Sequence, residues 1–400
     1  MRDVLSDLVG WWRAGEPVGM GTVVATWRSA PRPVGAAMLV GPDGTAVGSV
    51  SGGCVEGAVY ETAQQAVETG KPTLQRYGVS DDDAFAVGLT CGGIIHVYVE
   101  RVAPASFPEL GDVAASIDAA EPVAVVTIVD DTCAPDPETA PDPDAAAGSG
   151  SPGGAETGPG TRVGGRLVVW LDRTAGSLGS RRLDDAATDD VRGMLASGRT
   201  GTLHYGHDGE RLGDDLTLFV ASHAPPPRMI VFGAIDFAAA VAKVGSFLGY
   251  RVTVCDARPV FATKRRFPDA DEVVVAWPHR YLTAEADAGR VDGRSVICVL
   301  THDPKFDVPV LEVALRLPVA YVGAMGSRRT HDDRLARLKE AGVTPEEIAR
   351  LASPIGLDLG ARTPEETAIS IGAEIIALRW TGTGTRLSEL DGRIHHDATP

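Results

Sequence analysis

Apolar residues along this chain recur at two spacings. Val55, Val59, Ala63 and Ala66 share one helical face, and the run stops at Gly70. Short apolar runs at 20–27, 36–40 and 46–50 precede it and one at 94–99 follows, predicting strands around a single helix, an α+β unit. Beyond Pro225-Pro226-Pro227 the texture changes. β-Branched runs at 229–232, 251–255, 272–276, 295–300 and 319–322 alternate with helical or irregular stretches, predicting a parallel sheet with crossover helices. The first such helix carries Phe237, Val241, Val244 and Leu248 on one face and ends at Gly249.

The first pattern occurs twice. Pro17-Val18 with Thr22-Val23-Val24 recurs as Pro122-Val123 with Thr127-Ile128-Val129. Thr69-Gly70-Lys71 recurs as Ser197-Gly198-Arg199, and Thr73-Leu74 before Tyr77-Gly78 recurs as Thr202-Leu203 before Tyr205-Gly206. Residues 16–104 and 121–226 therefore read as two copies of one unit within an N-terminal region 1–226. The second copy carries an insertion, 134–165, rich in Gly and Pro and with Val163 as its only large apolar residue. Such a stretch cannot bury enough surface to offset its ordering entropy, so a solvated loop is expected. The remaining organisation is a Rossmann-like, doubly wound domain over 228–380 and a tail, 381–400. The fold class is α/β: an α+β N-terminal region of two related units plus that parallel-sheet domain.

Composition narrows the partners. Of 400 residues, 54 are Asp or Glu and 37 are Lys or Arg, a formal charge of −17, which disfavours nucleic acid and anionic lipid as main partners. No apolar run reaches the ~18 residues that cross a bilayer. The start lacks a signal-peptide pattern, and five cysteines without framework spacing read as reduced thiols, so a cytoplasmic protein is expected.

The copies serve as mutual controls. Ser51-Gly52-Gly53-Cys54 lies over Gly179-Ser180-Arg181-Arg182, and Cys91-Gly92-Gly93 over Leu212-Gly213-Asp214. Two glycine-flanked cysteines stand in copy one alone, which singles out Cys54 and Cys91 as candidate reactive thiols and soft-metal ligands. Cys54 follows a strand and two glycines and is expected to start a helix, where backbone N–H groups and the helix terminus favour thiolate. Glu56, just beyond, opposes that effect. The alternative is a pair of small thiols beside glycines required by tight turns. Cys133, Cys255 and Cys298 have ordinary contexts, and the last two read as core.

In the C-terminal domain Asp256 falls 23 residues after Gly233, the spacing of a ribose-binding acid. The glycine fingerprint itself is broken, because Ile235 and Asp236 stand where a pyrophosphate would approach, so NAD(P) binding is doubtful. The C-terminal strand ends should gather Asp236, Asp256, Arg258, His302, Asp303, Ser327, Arg328 and Arg329. His302 and Asp303 suit acid–base work and the Ser327-Arg328-Arg329 helix start suits a phosphate. Asp358 and Arg362 precede Thr363-Pro364-Glu365-Glu366, a capped helix start.

Four segments together resemble the XdhC/CoxI family: Gly48-Ser49-Val50-Ser51-Gly52-Gly53-Cys54, Thr90-Cys91-Gly92-Gly93, Gly326-Ser327-Arg328-Arg329, and Pro354-Ile355-Gly356-Leu357-Asp358 through Arg362-Thr363-Pro364-Glu365-Glu366. The resemblance runs from Leu5 to Trp380. It implies an accessory factor of molybdenum hydroxylases that binds molybdenum cofactor transiently, assists its sulfuration with a cysteine desulfurase, and delivers it to an apo molybdenum hydroxylase. Ser51, Gly52, Gly53, Cys54, Cys91, Gly92 and Gly93 map onto the family's cysteine motifs. The family's usual loop at Gly233-Ala234 continues Gly-His; Ile235-Asp236 departs from it. A homodimer is compatible with this reading. The alternative function is an NAD(P)-dependent oxidoreductase using the C-terminal domain, with His302 as acid–base.

Overall fold

The computed structural model describes residues 2–27, 30–78, 93–132, 162–301 and 303–391. The chain divides into two compact units, 1–225 and 226–400.

Unit 1 opens with helix α1 (Leu5–Arg13). Copy one follows as β1 (Val18–Trp27), β2 (Ala37–Val40), β3 (Ala46–Gly48), α2 (Glu56–Thr69), β4 (Thr73–Tyr77) and β5 (Ile94–Val102). After α3 (Leu110–Asp118), copy two gives β6 (Val123–Asp131), β7 (Arg166–Trp170), β8 (Thr174–Ser177), α4 (Arg181–Ser197), β9 (Gly201–Tyr205) and β10 (Leu216–His223). The two sheets have one strand order, β3-β2-β1-β5-β4 and β8-β7-β6-β10-β9.

Each sheet buries one face under its own helix. In copy one Val59, Ala63 and Ala66 of α2 pack with Val23, Val97 and Val99. Glycine at 19 and 21 permits this approach, since a Cβ at Gly19 would lie 2.7 Å from the Ala63 carbonyl oxygen and one at Gly21 2.7 Å from Val59 Cγ1. The alternate residues Val18 and Met20 enter a second core, shared with α1, α3 and Val123, Val125, Val168 and Trp170 of copy two. Across the copies Arg166 donates to Glu100 at 2.5 Å, to the Ser106 carbonyl at 3.1 Å and stacks on Phe107. Burying both charges is tolerable only because they are paired and hydrogen-bonded.

The insertion is shorter than its composition suggests. Gly164 donates to the Ile128 carbonyl and Ile128 to that of Gly165, each at 2.9 Å, and Val163 packs beside Val24, Tyr98, Val129 and Phe219. Residues 162–165 are thus a turn hydrogen-bonded to Ile128 of β6; 133–161, with Cys133, lie outside the described residues.

Unit 2 comprises β11 (Arg228–Phe232), α5 (Asp236–Phe247), β12 (Arg251–Asp256), β13 (Glu272–Val275), α6 (Pro278–Asp287), β14 (Val296–Val299), α7 (Pro304–Ala314), β15 (Tyr321–Ala324), α8 (Arg328–Glu340), α9 (Pro345–Ile348), β16 (Leu351–Ala352) and α10 (Pro364–Arg379). All pairings in the sheet are parallel, in the order β13-β12-β11-β14-β15-β16, the doubly wound arrangement. One face packs against α5 and α10 and the other against α6, α7 and α8. The four residues of the α5 stripe, Phe237, Val241, Val244 and Leu248, all belong to or pack against one core. Ala238, Val241, Ala242 and Gly245 are the buried residues, while Val244 and Leu248 approach Gly372 of α10. Cys255 and Cys298 are buried in the sheet, and burial raises both thiols to about 12. Among the described residues no helix is long and apolar enough to cross a membrane.

Candidate functional site: the Cys54 turn

β3 ends at Gly48, where φ is +84° and a Cβ would fall 2.4 Å from the Ala37 carbonyl oxygen. The chain then crosses 49–55 before α2 begins. Gly52 and Gly53 have φ of +77° and +119°, conformations that disfavour a side chain. Neither has a neighbour within 4 Å of its Cβ position, so the space beside them is open. Cys54 sits next, half-buried against the copy-one core.

The helix begins at Glu56 rather than at Cys54, with Val55 as its cap residue. The expected nest of backbone N–H groups is present, but Glu56 fills it. Its carboxylate accepts from Ser49 Oγ at 2.6 Å and from the N–H groups of Val50 (3.2 Å), Ser51 (2.9 Å), Gly53 (2.8 Å) and Val55 (3.2 Å). The Ser51 hydroxyl donates to the same carboxylate and accepts from Cys54 N and Val55 N, each at 3.0 Å. Burial pushes the Glu56 carboxyl up, but the Ser49 and Ser51 hydroxyls and the backbone donors outweigh it and hold it at about 2. The N–H groups of Val50, Ser51, Gly53 and Val55 converge on the Glu56 carboxylate, so a carboxylate occupies the nest that the sequence reading offers to the thiol. The turn thus ties down the backbone on both sides of Cys54, whose side chain packs partly against the copy-one core, while the Cβ positions of the two preceding glycines face open space.

Copy two keeps the frame without the thiol. Ser177 Oγ donates to the Asp184 carboxylate at 2.8 Å, as does Leu178 N at 2.7 Å, repeating the Ser49–Glu56 spacing of seven residues. Gly176, with φ of +81°, repeats Gly48. There Ser180 caps α4 by accepting from Leu183 N, the helix starts at Arg181, and Arg182 holds the position of Cys54.

Cys91, Gly92 and His302 lie outside the described residues. Gly93 is buried just ahead of β5. Among the described residues no three His, Cys, Asp or Glu side chains stand together as a metal site.

In unit 2 the remaining candidates meet at the C-terminal ends of the strands, most of them already engaged. Asp256, closing β12, accepts from Ala234 N at 2.7 Å and takes a bidentate pair from Arg258 at 2.9 and 2.8 Å. Burial raises its carboxyl, yet these donors hold it below the usual range. Gly233 has φ of +111° and packs on Thr301. Asp236, the first residue of α5, pairs with Arg266 at 3.0 Å. Asp303 caps α7 by accepting from Lys305 N and pairs with its ammonium at 2.9 Å. These contacts hold its carboxyl below the usual range. Ser327 caps α8 through Thr330 N, and Arg328 and Arg329 are exposed on its first turn. Sequence reasoning misses the residues that shape this edge: Arg334, buried with Asp307 at 3.0 Å, holds the Met325 carbonyl and Ser353 Oγ. Thr363 and Glu366 form the expected capping box on α10.

Residues 11–78 and 155–206 match the XdhC and CoxI family, and residues 229–375 match the XdhC Rossmann domain. The chain belongs to the XdhC/CoxI family. It is similar to a probable xanthine dehydrogenase subunit of Bacillus subtilis, 26% identical over 91% of this chain and 94% of that one. It is also similar to the molybdenum cofactor insertion chaperone PaoD of Escherichia coli, 25% identical over 94% of this chain and 88% of that one. A crystal structure described as a xanthine dehydrogenase from Bacillus halodurans superposes with a TM-score of 0.62 at 26% identity, covering 94% of both chains.

Proposed function

We propose that this protein is a maturation factor for a molybdenum hydroxylase, receiving molybdenum cofactor at the Cys54 turn and passing it to the apo-enzyme. One observation carries the reading: a half-buried cysteine directly after two positive-φ glycines that face open space, in one copy of a duplicated scaffold and replaced by arginine in the other. The cargo fits the donor set. A metal that arrives with its own dithiolene sulfurs needs one further soft ligand rather than a cage, and a thiolate supplies it. Cys91 is the second candidate thiol. A cysteine desulfurase is the partner that would supply sulfur to the bound cofactor. The protein acts as a carrier, in the cytoplasm, and a homodimer is compatible with that role.

An NAD(P)-dependent oxidoreductase is disfavoured. Ala234 N already serves Asp256, Asp236 occupies the helix start where a pyrophosphate would sit, and Ile235 blocks close approach. Calorimetric titration with NAD should show no micromolar binding; such binding would reinstate the oxidoreductase. The test of the main reading is activation of a purified apo molybdenum hydroxylase by cofactor-loaded protein. The Cys54→Ser variant is expected to give at least a tenfold lower rate, and equal rates would refute the assignment.

A further inference from the structure

Unit 1 holds a second concave feature that the Cys54 reading does not use. A cavity of about 270 Å³ opens between the β1–β2 connection of copy one and the β9 and β10 strands of copy two; Asp3, Arg32, Ala36, Thr200, Ser222 and His223 contribute to its lining. Two of its polar atoms are buried and meet no hydrogen-bond partner among the described residues: Arg32 Nε and Ser222 Oγ. Arg32 Nε is a shielded donor on a side chain that is itself 38% exposed, so the guanidinium reaches both the cavity and solvent. The acid beside Arg32 is Asp3, 3.9 Å from Nη2 and 81% exposed at the rim, beyond hydrogen-bonding distance.

The donors have a consistent chemistry. Thr200 Oγ1 accepts from the Ser222 backbone N–H at 3.1 Å, which orients the threonine side chain and leaves its hydroxyl its own hydrogen to donate. Arg32 N–H, Ser222 O–H and Thr200 O–H thus line one cavity in which Asp3 is the only carboxylate among the described residues. Such a set repels cations and suits an acceptor-rich anion, and a guanidinium favours the oxygens of phosphate. The volume lies just below the ~300–1,000 Å³ of ordinary small-molecule sites, which argues for an anion carrying a small organic group.

We propose that this cavity binds a small phosphate monoester, with Arg32, Ser222 and Thr200 donating to its terminal oxygens. The assignment is independent of the cargo read at Cys54. It is tested by titrating the full chain with glycerol 3-phosphate and, separately, with orthophosphate, followed by ³¹P NMR and calorimetry. The monoester should bind more tightly than the free ion. Arg32→Gln should weaken it at least tenfold, Ser222→Ala several-fold, and Asp3→Asn should strengthen it. The double variant Arg328→Gln, Arg329→Gln should leave it unchanged. Circular dichroism of Arg32→Gln checks its fold, and Ser222→Ala gives a second reading should that variant unfold. Equal affinity for the two probes would overturn the ester assignment in favour of free phosphate. Binding that survives both cavity substitutions, or that disappears in the Arg328/Arg329 variant, would overturn the site.

Discussion

The two halves of unit 1 begin from the same frame and end in different chemistry. Both have a positive-φ glycine in the last residues of a strand, Gly48 and Gly176, and a serine that reaches an acid seven residues on. In copy two the acid binds Ser177 and Leu178, and α4 starts directly at Arg181. In copy one the corresponding first turn is unwound through Gly52 and Gly53, and Glu56 gathers Ser51, Gly53 and Val55 as well. The unwinding moves Cys54 off the helix and into the loop. The shared acid is therefore scaffold, and the extra donors on Glu56 are what hold the cysteine-bearing loop open.

The comparison can be broken at several points. The largest effect should come from Cys54→Ser, which removes the soft ligand and keeps the turn: activation of the apo-hydroxylase falls at least tenfold while the melting temperature barely moves. Cys255→Ser, buried in the β12 strand, should show the reverse, with function retained and stability lowered by about 1–3 kcal/mol in chemical denaturation. Next, Glu56→Gln leaves several turn donors without a carboxylate and should cost about 1–3 kcal/mol, whereas Asp184→Asn, with fewer donors, should cost about 0.5–1.5 kcal/mol. Equal losses would mean that the extra donors do not matter.

Gly53→Ala should cost about 1–2 kcal/mol because its φ of +119° disfavours a Cβ; Arg181→Ala, at the matching helical position, should be near neutral. The smallest effect is with acid. The Glu56 carboxyl lies at about 2, below its ordinary 4.5. Its contribution is complete above about 4.5 and is lost as pH falls toward 2. The stability gap between the protein and Glu56→Gln should narrow through that window, and a gap independent of pH would contradict the assignment.

Much of this is readable in the chain because it is local. The duplication follows from residue types at matching offsets, and the parallel sheet from β-branched runs between helical stretches. The open glycines beside Cys54 follow from Ser51-Gly52-Gly53-Cys54 lying over Gly179-Ser180-Arg181-Arg182. Glu56 misleads because an acid near a thiol reads as repulsion, and only two consecutive positive-φ residues let it turn back onto the N–H groups. The Ser49–Glu56 and Ser177–Asp184 pairs are the available signal. The two-residue strand β16 is too short to leave a pattern. Arg334 ties Asp307 of α7 to Met325 and Ser353, which follow β15 and β16, a non-local arrangement with no spacing to detect. Its neighbour Asp303 reads as an acid–base group from sequence because capping by a side chain and catalysis draw on the same residue type.

The central claim is that the Cys54 thiol holds the cofactor. Molybdenum and pterin content, measured on the full chain after loading with molybdenum cofactor and gel filtration, tests it most directly. The protein and Cys255→Ser should retain both in near-equal amounts, and Cys54→Ser should retain neither. Stoichiometric molybdenum and pterin on Cys54→Ser would contradict the account and return Cys54 to a small side chain packed beside a tight turn.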